Sequence, residues 1–147
     1  MEREIAEKGK GEVGGLEPVS LVLPSSPEYV MLARLVAGQV GRLVGFEPED
    51  IYDLKLAVTE AATNVIRHAA VESYEIEFRA LPRAVEVFVT DAGGGFQLSE
   101  LPDEPDDQGG FGLKVIENLV DELALESKGE GTRMRMLRRA GGTAGER

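Results

Sequence analysis

Residues 54–69, LKLAVTEAATNVIRHA, contain neither glycine nor proline, and Leu54, Ala57, Val58, Ala61 and Val65 recur at spacings of three and four. That pattern commits the stretch to a helix with one face on a core. Glu60, Asn64 and His68 share a second strip, one turn apart, with Arg67 beside them. A merely solvated helix face would carry Lys and Glu there. Here a carboxylate, a carboxamide and an imidazole are aligned, and Ala61, Ala62 and Thr63 leave room for something to approach. The strip reads either as a polar seam packed on another element or as one wall of a binding site. Two glycine-rich segments further along bear on that choice.

The rest of the chain arranges itself around this helix. Residues 18–23, PVSLVL, read as a short strand, and Pro18 suits an edge position. Ser26 before Pro27 forms a helix start, and a helix follows over 28–44, with Val30, Leu32, Leu35, Val36, Val40 and Leu43 apolar, closed by Gly45. Glu47, Glu49 and Asp50 sit at the favourable N-terminal end of the next helix, which contains the opening stretch. Residues 73–80 and 84–90 alternate around Pro82-Arg83, which predicts an antiparallel hairpin. Residues 96–108 form an acidic, proline-containing loop, 111–120 a helix with Leu113, Val115, Ile116 and Leu119 inward, and 121–126 and 132–137 two strands. Hairpin-linked strands with clustered helices predict an α+β fold, a two-layer α/β sandwich on a mostly antiparallel, mixed sheet. The expected domain is 17–138, with a disordered arm over 1–16 and a frayed tail over 139–147, fraying from Arg138 onward.

Composition narrows the functions open to such a fold. The chain has 147 residues, no cysteine, and a net charge of −11. Disulfides and thiolate metal sites are excluded, and a reducing cytoplasmic setting fits. Nucleic acid and anionic membranes are not expected as direct partners, because both call for a basic face. No segment has the apolar length of a signal peptide or a membrane span.

Asp91-Ala92-Gly93-Gly94-Gly95 directly follows the strand VEVFVT. A carboxylate at a strand end, followed by glycines, can meet an exocyclic amine while backbone approaches a flat ring. It is equally the composition of a tight turn. Gly109-Gly110-Phe111-Gly112 then leads into a helix, which suits either phosphate oxygens at exposed N–H groups or a flexible helix start. No Gly-Lys-Ser/Thr occurs, so neither is a Walker A loop, and neither satisfies GxGxxG.

Taken together these motifs are far more specific than any alone. ExxxN on a helix, DxGxG at a strand end, an acidic loop, GxG before a helix and Gly131-Thr132 opening a strand occur in that order. The pattern resembles the GHKL superfamily, whose Bergerat-type ATP-binding fold is shared by gyrase, the Hsp90 chaperone, histidine kinases and MutL. Within it, LKLAVTEAATNVIRHA, VTDAGGGF and GGFGLKVIENLVDEL most resemble the small anti-sigma-factor serine/threonine kinases of sporulation and stress response in bacteria.

The resemblance implies a set of roles. Asn64 would give its amide oxygen to Mg²⁺ on the phosphates of ATP or ADP, and Glu60 would be the base for the attacking hydroxyl. Asp91 would accept from the adenine amine, with Gly93 and Gly95 allowing close approach and Thr132 nearby. Gly110 and Gly112 would cover the phosphates, Arg67 would touch them, and the acidic loop would order over bound nucleotide. His68 is read as a structural residue ending the helix. The implied partners are a sigma factor and a STAS-type anti-anti-sigma antagonist, with the chain a homodimer through its first strand and first helix. Two alternatives stay open: a switch kinase of a stress-signalling scaffold, and a non-catalytic docking module controlled by ATP.

Overall fold

The computed structural model describes residues 16–92, 112–128 and 131–141. Its elements are β1 (Val19–Pro24), a 3-10 turn (Pro27–Tyr29), α1 (Val30–Leu43), α2 (Pro48–His68), β2 (Ser73–Leu81), β3 (Ala84–Asp91), α3 (Gly112–Glu117), β4 (Glu122–Lys128) and β5 (Gly131–Arg139). The strands form one sheet in the order β1-β2-β3-β5-β4. All four pairings are antiparallel, so the described sheet is antiparallel throughout rather than mixed. β1 lies at an edge, as Pro18 suggested. The helices cover one face, giving the two-layer α+β sandwich.

The period of two in the strands sets the core. Tyr74, Ile76, Phe78 and Ala80 of β2, Val85, Val87 and Val89 of β3, and Met134 and Met136 of β5 are buried under the helices. Leu54, Ala57, Val58, Ala61 and Val65 of α2 close on them, as their spacing predicts. Asp91 continues the inward phase of β3, while Thr132 and Arg138 stand at the two ends of the inward row of β5. The outer face is polar. There the Phe88 ring lies between the guanidinium groups of Arg79 and Arg133, at 4.9 and 4.1 Å. Arg135 pairs with Glu86 and Glu122.

α1 departs from its expected packing. Its inward face is Val30, Ala33, Ala37, Gly38, Val40 and Gly41, whereas Met31, Leu32, Leu35 and Leu43 are exposed. Small residues let α1 lie close on α2. A Cβ at Gly38 would stand 2.7 Å from the Lys55 side chain, and one at Gly41 3.0 Å from the Phe46 ring. Gly45 ends the helix at φ +88°.

The tail also differs from expectation. β5 runs to Arg139, and Ala140 and Gly141 are bonded back to the fold through Arg83 and Asp50. Arg138 is buried rather than frayed, because two carboxylates of α2 neutralise it. Leu16, assigned to the arm, packs against the core. α3 is shorter than 111–120, and Asn118 ends it by donating Nδ2–H to the Lys114 carbonyl. The remainder of the arm and tail, the acidic loop 96–108, Gly93, Gly95 and Gly110 lie outside the described residues.

Candidate nucleotide site

The candidate site draws on the C-terminal half of α2 and on the paired strands β3 and β5, against which α2 packs. α2 reaches that point without interruption because its start is firmly fixed. Pro48 occupies its first turn, and Asp50 Oδ2 accepts the Glu47 N–H at 3.1 Å.

Asn64 is fully buried, and among the described residues neither its Oδ1 nor its Nδ2 has a hydrogen-bond partner. A buried carboxamide in that state calls for an explanation such as a ligand or ion. One turn earlier Glu60 is half-buried, with Oε1 shielded from water. Arg67 is exposed in the last turn, and His68 ends the helix half-buried.

The sheet supplies the second wall. Asp91 is 2 % exposed, with both carboxylate oxygens out of water, and it pairs directly across the ladder with Thr132, itself buried. Gly131 makes this juncture possible. A Cβ there would lie 2.3 Å from the Asp91 carbonyl oxygen, closer than any side chain can come. Gly112 opens α3 at φ +66°, a left-handed conformation that favours glycine. The structure therefore brings Asp91 and Thr132 together and sets Glu60 and Asn64 on one strip.

Two functional candidates were not visible as such in the sequence. Tyr74 reads as one apolar position of an alternating strand, yet its phenol is buried with no hydrogen-bond partner among the described residues, and burial pushes its pKa up. Since Glu75 pairs with Thr90, Tyr74 falls in line with Asp91. A buried tyrosine in an aliphatic row is the only signal that pointed to it. The second is Arg138, whose partners lie 88 and 85 positions earlier in the chain, at Asp50 and Asp53.

The chemistry of the donor set fits a magnesium nucleotide. Among the described residues no cluster of three His, Asp or Glu could cage a metal. Mg²⁺ ordinarily needs only one or two protein oxygens besides phosphates and water, and the Asn64 carboxamide is such an oxygen.

Comparison with known proteins agrees with this geometry. The histidine kinase-like ATPase domain matches residues 23–138. A serine-protein kinase RsbW from Oceanobacillus iheyensis is 37% identical, covering 75% of this chain and 79% of the relative. RsbW from Listeria monocytogenes is 39% identical over 74% of this chain and 79% of its own, and RsbW from Bacillus subtilis 33% over 74% and 78%. In fold, the chain is similar to a crystal structure of the RsbU and RsbW domains of a Mycobacterium tuberculosis protein. The TM-score is 0.64 at 18% identity, over 84% of this chain and 32% of that longer one. The chain belongs to the histidine kinase-like ATPase family, in the branch of the RsbW serine-protein kinases.

Proposed function

We propose that this chain is a protein serine/threonine kinase that moves the γ-phosphoryl group of ATP to a hydroxyl of a small STAS-type anti-anti-sigma antagonist, and that it separately sequesters a sigma factor in the cytoplasm. The observation that carries the reading is Asn64, fully buried and unpartnered among the described residues, one turn beyond Glu60 and on the helix that packs against β3 and β5, the strands that carry the Asp91–Thr132 pair.

In this reading Asp91 accepts from the adenine amine and Thr132 supports it through its hydroxyl or a water. Gly112, together with Gly93, Gly95 and Gly110, gives the nucleotide close backbone approach. Asn64 Oδ1 holds Mg²⁺, which supplies charge neutralisation on the phosphates. Arg67 reaches toward them from the exposed side of α2. Glu60 takes the proton of the attacking hydroxyl as its oxygen bonds to the γ-phosphorus. The bond from phosphorus to the β-phosphate bridging oxygen breaks, and ADP leaves.

The same reading makes the chain a symmetric dimer through β1 and α1. Val19 on the helix side of the edge strand and Met31, Leu32 and Leu35 on α1 are exposed apolar side chains, and Val19 lies beside Val40 and Leu43 of α1. For a protein partner with acidic side chains, a recess of about 500 Å³ is lined by Arg34, Arg42 and Lys55 with Phe46, Ile51 and Tyr52. The chain contains no cysteine, which suits a reducing cytoplasm, and among the described residues no helix is long and apolar enough to cross a membrane.

The experiment is incubation with γ-labelled ATP, Mg²⁺ and a STAS-type protein from the same organism. Label on a serine or threonine of that protein supports the kinase. Tight Mg-ATP binding with no transfer replaces the kinase by an ATP-controlled docking module.

A further inference from the structure

One guanidinium joins the far ends of the three elements that carry the candidate site. Arg138, next to last in β5, is 1 % exposed. Its Nη2 meets Asp50 Oδ1 at 2.7 Å, and its Nη1 meets Asp53 Oδ2 at 3.2 Å. The same Nη1 donates to the Leu119 carbonyl at 3.1 Å, just past the end of α3. The other Asp50 oxygen is taken by the backbone N–H groups of Glu47 and Gly141. Two further bonds stitch the same corner: Asp121 N–H donates to the Leu137 carbonyl, and Arg139 N–H to Asp121 Oδ2, both at 2.7 Å.

The directions of the elements give this corner its meaning. Asn64 lies toward the C-terminal end of α2, and Asp50 and Asp53 near its start. Thr132 opens β5 and Arg138 closes it. Gly112 opens α3, and Leu119 lies beyond its end. In every case the candidate site residue occupies one end and the Arg138 cluster the other.

Stability alone does not account for the cluster. Burying a guanidinium with two carboxylates is costly, and well-packed apolar side chains commonly serve a core as well or better. An apolar residue cannot, however, fix the direction of three elements at once, as a planar fork of donors does. We propose that Arg138 is a positioning residue that pins α3 to the base of α2, keeping the glycine-led start of α3 in register with Glu60 and Asn64. Arg138 thereby controls binding of the nucleotide phosphates while leaving adenine recognition alone. Asp91 and Thr132 are held by the β3–β5 ladder at the opposite end from Arg138. The inference rests on the nucleotide reading given above.

The test compares affinities for Mg-ATP and for adenosine, by calorimetry, in wild type and two variants. Arg138→Lys keeps the charge and loses the fork. The triple variant Arg138→Met/Asp50→Asn/Asp53→Asn removes all three charges together, so none is left stranded. ATP affinity is expected to fall about ten- to a hundredfold in both, with adenosine unchanged to within about twofold. Equal weakening of both ligands, or of neither, overturns the proposal. So does loss of the folded state in both variants, which would make Arg138 a residue of stability only. A wild type that binds neither ligand removes the nucleotide reading and the clamp together. A wild type that binds both, matched by its variants, removes the clamp alone.

Discussion

Asn64 is a side chain whose burial the bare fold does not repay. Stranding a polar group away from water costs about 1–3 kcal/mol, and among the described residues nothing offsets that cost. Asn64→Leu should therefore leave the melting temperature of the nucleotide-free protein unchanged or raise it, while abolishing Mg-dependent nucleotide binding. Calorimetric melts beside nucleotide titrations check this, and a large loss of stability would mean that Asn64 is structural. Gly131 is constrained in the opposite sense, since its missing Cβ is space that the Asp91 carbonyl already occupies. Gly131→Ala should cost about 1–3 kcal/mol by overpacking and weaken nucleotide binding by displacing Asp91, whereas a variant that melts like wild type would show that the strands part there without cost. Glu60, Asn64, Asp91 and Thr132 stand out as candidates in the sequence only because their motifs, ambiguous one by one, occur together in an order that resembles an ATP-binding superfamily. Tyr74 and Arg138 were not, because their roles depend on which residues the sheet register and the helix packing bring beside them.

The hairpins could be read in advance because alternation and the Pro82-Arg83 turn are local signals. Arg83 takes φ +53° to close that turn. α1 was harder to read. Its large aliphatics suggest a buried stripe of leucine and valine, but between Val30 and Val40 the buried positions are alanine and glycine, which allow close approach to α2. From sequence the segment from Arg138 onward reads as a frayed tail, since arginine is ordinarily solvated. Only the carboxylates at the start of α2 make it a core position. Burial pushes the Asp50 carboxyl up, but the Arg138 guanidinium and the N–H groups of Gly141 and Glu47 outweigh that and hold it below its ordinary value. A lowered folded pKa stabilises above the unfolded value, about pH 4, and that contribution is lost as pH falls through the folded value. Stability should thus decline below about pH 4, and Asp50→Asn should flatten that decline. Melting curves from pH 6 to pH 3 provide the check, and an unchanged acid limb in Asp50→Asn would remove Asp50 from the account.

Across the whole molecule, apolar side chains are spread unevenly. The inner strands and, apart from Tyr52, α2 bury theirs, while the helix side of the edge strand β1 and α1 leave Val19, Met31, Leu32 and Leu35 in water. Such a surface on adjoining elements favours self-association. Light scattering should give twice the chain mass at micromolar concentration, and Val19→Lys with Leu35→Asp should give a folded monomer, since both positions are exposed. A concentration-independent monomer in wild type would end that expectation. The central claim, that this fold performs phosphoryl transfer rather than nucleotide-gated docking, turns on Glu60. Phosphoryl transfer depends on positioning, charge neutralisation and a group to take the hydroxyl proton, and only the last of these is lost in Glu60→Gln. The decisive measurement is label transfer from ATP to the antagonist by wild type and Glu60→Gln, with Mg-ATP affinity measured on the same preparations. The account predicts equal affinity and a transfer rate about 10²–10⁴-fold lower in the variant. Equal transfer by the two proteins, or none by wild type, would contradict it.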